Sequence, residues 1–146
     1  MRIGIIGAGF IGRAIASLAV RHGHDVMIST SREPRTLGST VVALGCQAGM
    51  VQQAAEFGEV VVVAIPFIAY RSVPADPLAR KLVLDANNYY PQRDGHFADL
   101  DSGETTTSEM LAAHLIGARV VKRWLFMRCR SRLGAATGVV PRLRRT

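Results

Sequence analysis

A glycine-rich segment at the start of the chain constrains its fold more than any other feature. Residues 1–6 (MRIGII) predict a short buried strand, and residues 13–20 (RAIASLAV) predict a helix. Between them, Gly7, Gly9 and Gly12 form a G-x-G-x-x-G pattern. In this context the first glycine permits a tight turn, the second lets the backbone approach a pyrophosphate, and the third lets the helix pack closely on the strand. The segment predicts a dinucleotide-binding site; the alternative is a chance glycine-rich turn.

The residues after the second predicted strand, 25–29, indicate which dinucleotide is bound. NAD sites usually carry an acidic residue about 20 positions after the glycines. Here Arg32 occupies that position, after Thr30 and Ser31. A guanidinium and hydroxyl groups suit the 2′-phosphate of NADP, and Arg35 is a candidate second cation. We therefore expect NADP rather than NAD. A structural role for Ser31, as a helix cap beside an exposed arginine, is compatible with this interpretation.

The rest of the chain alternates between predicted strands and helices. Further strands are predicted at 46–48, 59–65, 82–86 and 118–122. Helices are predicted at 35–44, 51–57, part of 69–81, and from a cap at Thr107 or Ser108 to Leu115, with a loop at 87–95. This alternation predicts an α/β fold: a doubly wound parallel sheet in a Rossmann-type NAD(P)-binding domain.

Length and composition favour one domain without a membrane span. The 146 residues are 49% hydrophobic, and no run of about 18 apolar residues occurs. The chain enters a strand without a secretion leader, and Cys46 and Cys129 lack disulfide or zinc spacing. We expect free thiols and a cytoplasmic protein. The histidines have no metal-ligand spacing, so no metal site is expected.

Charge is unevenly distributed along the chain. Residues 1–118 hold all eleven acidic residues and nine basic ones, whereas residues 119–146 hold nine basic residues and no acidic one. A basic tail of this kind can bind nucleic acid or a membrane surface. We weigh that interpretation lower, because the residues after Lys122 also lack the strand and helix periodicity of the rest of the chain.

The chain resembles the NADP oxidoreductases related to the coenzyme F420-dependent (deazaflavin) NADP reductases. The resemblance covers residues 1 to about 122. It rests on residues 3–12 (IGIIGAGFIG), the Ser31–Arg32 pair, residues 62–67 (VVAIPF), 84–91 (LDANNYYP), 106–109 (TTSE) and 118–122 (ARVVK).

The resemblance implies NADP as cofactor and hydride transfer to or from a deazaflavin or similar small molecule. The residues implied to hold the pyrophosphate are Gly7, Gly9, Phe10, Ile11 and Gly12. Those implied to hold the 2′-phosphate are Thr30, Ser31 and Arg32. The segment implied to run toward the nicotinamide is Ala64, Ile65 and Pro66. Asn87 follows another strand end, where such sheets bind ligands. No catalytic residue is identified: Asp85 is expected to make a structural hydrogen bond, and His96 is expected to be a solvated loop residue. A homodimer is an open alternative.

After Lys122 the sequence departs from the family pattern and becomes arginine-rich. We therefore expect an NADP-binding domain at 1–122 and a basic, non-native or disordered tail at 123–146. A reading-frame shift would explain the tail; the rivals are a genuine polyanion-binding tail and a short variant that pairs with another chain. If the substrate portion is missing, the chain binds NADPH with little turnover. Two other functions stay open: an NADP-binding or redox-sensing module, and a reductase of an imine, a flavin or a metal chelate.

Overall fold

The computed structural model describes residues 1–122, which form a sheet with helices on both faces. The strands are β1 (Arg2–Ile6), β2 (Asp25–Ser29), β3 (Gln47–Gly49), β4 (Val60–Val63), β5 (Leu82–Asp85) and β6 (Arg119–Lys122). The helices are α1 (Phe10–Arg21), α2 (Gly38–Leu44), α3 (Val51–Phe57), α4 (Pro91–Asp94), α5 (Ala98–Asp101) and α6 (Thr107–His114). Short 3₁₀ helices occur at Pro34–Leu37, Phe67–Ser72 and Asp76–Leu78.

The six strands of the described region are all parallel, in the order β3-β2-β1-β4-β5-β6. The chain adds strands on one side of β1, then returns to β4 on its other side. This reversal leaves a crevice beyond the carboxyl ends of β1 and β4, where open α/β sheets bind ligands. The predicted Rossmann-type, doubly wound fold is confirmed.

Strand β4 shows why both faces of the sheet must be covered. Val61 and Val63 pack on one face with Phe67, among buried side chains of α3, α6 and the 3₁₀ helices. Val62 packs on the other face with Ile5 and with Ala16 of α1. All three valines are buried, as the continuous apolar run predicts for a central parallel strand.

The structure corrects several local boundaries. The helix predicted at 35–44 is a 3₁₀ turn followed by α2, and the loop predicted at 87–95 contains α4. Thr106, rather than Thr107 or Ser108, caps α6. Its hydroxyl accepts the Glu109 N–H at 3.2 Å, and the Glu109 carboxylate accepts the Thr106 N–H at 2.7 Å. This reciprocal capping box satisfies two N–H groups at once.

The expectations for residues 123–146, including Cys129, lie outside the described residues. Within residues 1–122, no helix is long and apolar enough to cross a membrane. In the same region, no three His, Cys, Asp or Glu side chains lie together in a way that could hold a metal ion. Cys46 is a free thiol whose partial burial raises its pKa.

Candidate functional site

A cleft of about 430 Å³ lies at the reversal point of the sheet. The β1–α1 turn, the end of β2 and the end of β4 meet there. The predicted site residues that line it are Gly7, Gly9, Thr30, Ser31, Arg32, Ala64, Ile65 and Pro66. These residues come from three separate stretches of the sequence, so the fold brings most of the predicted site together.

The three glycines of the motif differ in whether the surrounding fold has room for a side chain at their positions. A Cβ on Gly7 would lie 2.2 Å from the Ala64 carbonyl oxygen, and Gly7 has a φ of 113°, which side chains rarely adopt. A Cβ on Gly12 would lie 1.9 Å from the Gly7 carbonyl oxygen. A Cβ on Gly9 would meet nothing within 4 Å, and its φ of −74° suits any residue. The fold itself therefore requires Gly7 and Gly12, whereas Gly9 borders open space in the cleft.

Gly9 is also the N-cap of α1, and no side chain caps this helix. The first-turn N–H groups carry the positive end of the helix dipole. The first turn contains no acidic residue that would compete for them. Unblocked N–H groups beside a glycine that opens onto a cleft fit a phosphate of a dinucleotide.

The end of β2 supplies hydroxyl groups and a cation to the same cleft. Ser31 and Arg32 are exposed, Thr30 is half-buried, and the Arg32 N–H lies 3.4 Å from the Thr30 hydroxyl. The side chain of Glu33 does not line the cleft and pairs with Arg35. Arg35 is 83% exposed in its side chain and does not line the cleft. The structure therefore does not bring Arg35 to the predicted 2′-phosphate site.

Arg13 is a cleft residue that the sequence analysis missed. It lies on α1, and its Nε donates a hydrogen bond to the Ala8 carbonyl at 2.8 Å. This bond holds the guanidinium beside the glycine turn, where it lines the same cleft as Arg32. Its position directly after Gly12 was the available signal, because that spacing keeps a long side chain near the turn.

A second cleft of about 280 Å³ continues from the first toward β5. The two share Gly9, Ala64, Ile65 and Pro66. Its other lining residues are Phe10, Ile11, Ala86, Asn88, Tyr90 and Arg93. The ring of Phe10 is 92% exposed at this end, and the guanidinium of Arg93 lies 5.0 Å from the Tyr90 ring centroid. Sequence analysis missed Tyr90 and Arg93, because their approach to α1 depends on tertiary packing.

The buried carboxylate of Asp94 ties the walls of the two clefts together. Arg93 donates to it at 2.7 and 2.9 Å, and the N–H groups of Tyr90 and Ile68 donate at 3.0 and 3.4 Å. The Arg93 guanidinium and these N–H groups lower the pKa of Asp94. Since Ile68 lines the first cleft and Tyr90 the second, one ionised side chain holds both walls.

Three other predicted residues take structural positions. Asn87 is buried and lines neither cleft; its side chain accepts the Ile65 N–H at 2.9 Å. Asp85 is fully buried and accepts hydrogen bonds, as expected of a structural residue. His96 is exposed and lies 2.8 Å from Asp101, away from both clefts.

Comparison with known proteins identifies related sequences and structures. The model of a family described as "NADP oxidoreductase coenzyme F420-dependent" matches residues 2–89. A structure from Arthrobacter sp. FB24, provisionally named an F420-dependent NADP reductase, superposes with a TM-score of 0.74 and 23% identity. That match covers 84% of this chain and 61% of the other. No curated protein matches the sequence.

Two further structures extend the comparison. A hypothetical protein from Sinorhizobium meliloti has a TM-score of 0.69 and 27% identity, covering 84% of this chain and 60% of that one. An imine reductase from Streptomyces aurantiacus has a TM-score of 0.60 and 19% identity, and the match covers 84% of this chain and 40% of the imine reductase chain. The chain thus spans about three fifths of the length of the Arthrobacter and Sinorhizobium proteins.

Proposed function

The chain belongs to the coenzyme F420-dependent NADP oxidoreductase family, and from this premise we propose that residues 1–122 hold NADP(H) for hydride transfer to or from a deazaflavin or a similar acceptor. We base the proposal above all on Gly9, because no contact within the described fold requires a glycine at that position. A phosphate seated on the N-terminus of α1 requires that open space.

We assign the adenosine half of the cofactor to the first cleft. Arg32, with the hydroxyls of Ser31 and Thr30, offers charge-assisted and neutral hydrogen bonds to a 2′-phosphate. Arg13 adds a second guanidinium at the same cleft, the role that the sequence assigned to Arg35. Two arginines without a carboxylate in the lining favour NADP over NAD, since the 2′-phosphate carries nearly two negative charges.

We assign the nicotinamide half to the second cleft. The segment Ala64–Pro66 borders both clefts, so a cofactor crossing Gly9 would pass along it toward Asn88. The exposed ring of Phe10 stands beside this path. Apolar side chains on two sides of the bound ring would limit its orientations.

The residues of the two clefts suit chemistry that depends on orientation. Arg13, Arg32, Tyr90 and Arg93 are the ionisable side chains that line them within residues 1–122; no carboxylate or imidazole does. When bound, the nicotinamide supplies or accepts the hydride, and the protein chiefly positions the two reacting rings. The lack of an acid–base pair therefore agrees with direct hydride exchange.

The test measures binding before turnover. Calorimetry of the purified chain should show NADPH binding more tightly than NADH. The absorbance of NADPH is then followed with an oxidised deazaflavin, a flavin and a cyclic imine as separate acceptors. Oxidation that is fastest with the deazaflavin supports the proposal. Tight NADPH binding without oxidation by any acceptor would instead indicate an NADP-binding module or a chain that lacks its substrate portion, and no binding of either nucleotide would overturn the proposed NADP site.

A further inference from the structure

We propose that Lys122, Asp85 and Asn87 form a positioning unit that fixes the backbone of Ile65, and through it the nicotinamide half of the cofactor site. This inference rests on the proposed function, since it concerns the same pair of clefts. None of the three residues lines either cleft. Their influence on the cofactor must therefore pass through neighbouring backbone: through Ile65, whose N–H the Asn87 side chain accepts, and through Ala86 and Asn88, which flank Asn87 and line the second cleft.

The backbone N–H of Ile65 is the point where the sheet needs outside support. Strand β4 ends at Val63, and the Ala64 N–H still pairs with the Ile6 carbonyl at 2.8 Å. The next N–H, of Ile65, finds a side chain instead: the Asn87 Oδ1 accepts it at 2.9 Å. An unpaired N–H at this half-buried position would be costly, so this bond sets where the segment leaves the sheet.

The main chain of Asn87 is itself held from both sides. Its N–H donates to Asp85 Oδ1 at 2.8 Å, and its carbonyl accepts from Lys122 Nζ at 2.5 Å. Lys122 Nζ also lies 3.2 Å from Asp85 Oδ2, which closes the unit with an ion pair. Ser108 donates to the same carboxylate oxygen at 2.6 Å. Asn87 therefore has little freedom to move its side chain away from Ile65.

Asn87 carries a feature that stability alone does not explain. The residue is 1% exposed, and its Nδ2 has no hydrogen-bond partner among the described residues. A buried donor without a partner destabilises the folded state. The Oδ1 of Asn87 thus makes a hydrogen bond, while its Nδ2 is buried without one and destabilises the fold. Such local costs are typical of residues that serve a site.

The unit lies on the nicotinamide side of the sheet. Asp85 and Lys122 end β5 and β6, which lie on the β4 side of β1, whereas Thr30 and Arg32 follow β2 on the other side of β1. Ile65 borders both clefts, but the proposed 2′-phosphate contacts of Thr30 and Arg32 follow β2. Loosening Ile65 should therefore disturb the second cleft and change the binding of an adenosine fragment much less. The compound 2′,5′-ADP is such a fragment, because it has the 2′-phosphate and lacks the nicotinamide half.

The experiment compares three variants of the full chain by calorimetry with NADPH and with 2′,5′-ADP. Asn87→Ala removes the acceptor for the Ile65 N–H, and Lys122→Met removes the cation that clamps Asn87. Lys81→Met is the matched control. Lys81 Nζ also donates to two carbonyls, of Ala55 and Glu56 at 2.8 and 2.9 Å. It precedes β5, however, at the amino ends of the strands, whereas the clefts lie beyond the carboxyl ends.

We expect Asn87→Ala and Lys122→Met to weaken NADPH about tenfold, near the upper end of the effect of one lost hydrogen bond between neutral groups, and to change 2′,5′-ADP less than about twofold. Lys81→Met should change neither. Equal losses of both ligands, or no loss of NADPH, would overturn the inference while leaving the proposed function intact. If Asn87→Ala does not fold, Lys122→Met decides alone. Failure of the unaltered chain to bind either ligand would overturn the proposed function and the inference together.

Discussion

The guanidinium of Arg35 pairs with the carboxylate of Glu33, two residues before it in the chain. The pair lies outside the cleft that Arg32 lines. Two exposed arginines three positions apart therefore have different surroundings: one borders the cleft, and the other has its charge matched by a neighbour. This contrast provides an internal control for cofactor selectivity.

Arg32→Ala should weaken NADPH by about 1.5–3 kcal/mol, the scale of a hydrogen bond to a charged group, and leave NADH little changed. The reason is that only NADPH carries the 2′-phosphate that Arg32 is proposed to contact. Arg35→Ala should change neither affinity, because its guanidinium is paired with Glu33. Calorimetry of both variants with both nucleotides measures this. Equal losses for the two cofactors in Arg32→Ala would contradict the assignment.

Gly9→Val should abolish binding of NADPH and NADH while the domain stays folded. The added side chain would enter open space in the cleft, where the pyrophosphate is proposed to lie. Gly12→Ala is the contrasting variant: its Cβ would lie 1.9 Å from the Gly7 carbonyl oxygen, so it should lower the free energy of unfolding by about 1–3 kcal/mol or more. Urea unfolding and calorimetry separate the two effects. Normal NADPH binding by Gly9→Val would show that the glycine turn is not the phosphate site.

Much of the fold was predictable because it follows from short-range patterns. The continuous valines of β4 and the glycine turn before α1 have few alternative structures. The cap of α6 was also readable, since Thr106 and Glu109 have capping-box spacing; placing it at Thr107 or Ser108 overlooked that signal. The Glu33–Arg35 pair is equally local, and its charges could have suggested that Arg35 turns away.

The remaining site residues depend on tertiary structure that a sequence does not display. Tyr90 and Arg93 approach Phe10 because Asp94 ties α4 to the 3₁₀ helix that contains Ile68. Asn87 follows a strand end, where ligand contacts are common, but its side chain turns inward to satisfy the Ile65 N–H. Which side such a residue faces is decided by unpaired backbone groups on a neighbouring strand.

The ion pair of Asp94 should make the stability of the domain depend on acid pH. Arg93 and two N–H groups lower the pKa of Asp94, so the ionised form stabilises the folded state. Its contribution is present above the unfolded pKa, near 3.8, and is lost as the pH falls through the lower folded value. Asp94→Asn should cost about 1–3 kcal/mol at neutral pH. In urea unfolding, the free energies of unfolding of Asp94→Asn and the unaltered chain should approach each other as the pH drops below about 4. A difference that stays constant with pH would show that the ionised carboxylate of Asp94 is not its source.

Arg80→Gly should raise the free energy of unfolding by about 1 kcal/mol, because it relieves backbone strain. Arg80 is the one non-glycine residue among 1–122 with a positive φ, 66°, and its N–H donates to the Gly117 carbonyl at 2.7 Å. Glycine keeps that bond without the steric conflict, and this gain should exceed the added entropy of the unfolded chain. The matched variant is Ala79→Gly at the preceding exposed position, where φ is −53°. It should destabilise the protein, since no strain is relieved there. Urea unfolding of both variants decides the matter: loss of stability in Arg80→Gly would mean that the side chain of Arg80 contributes more than its backbone strain costs.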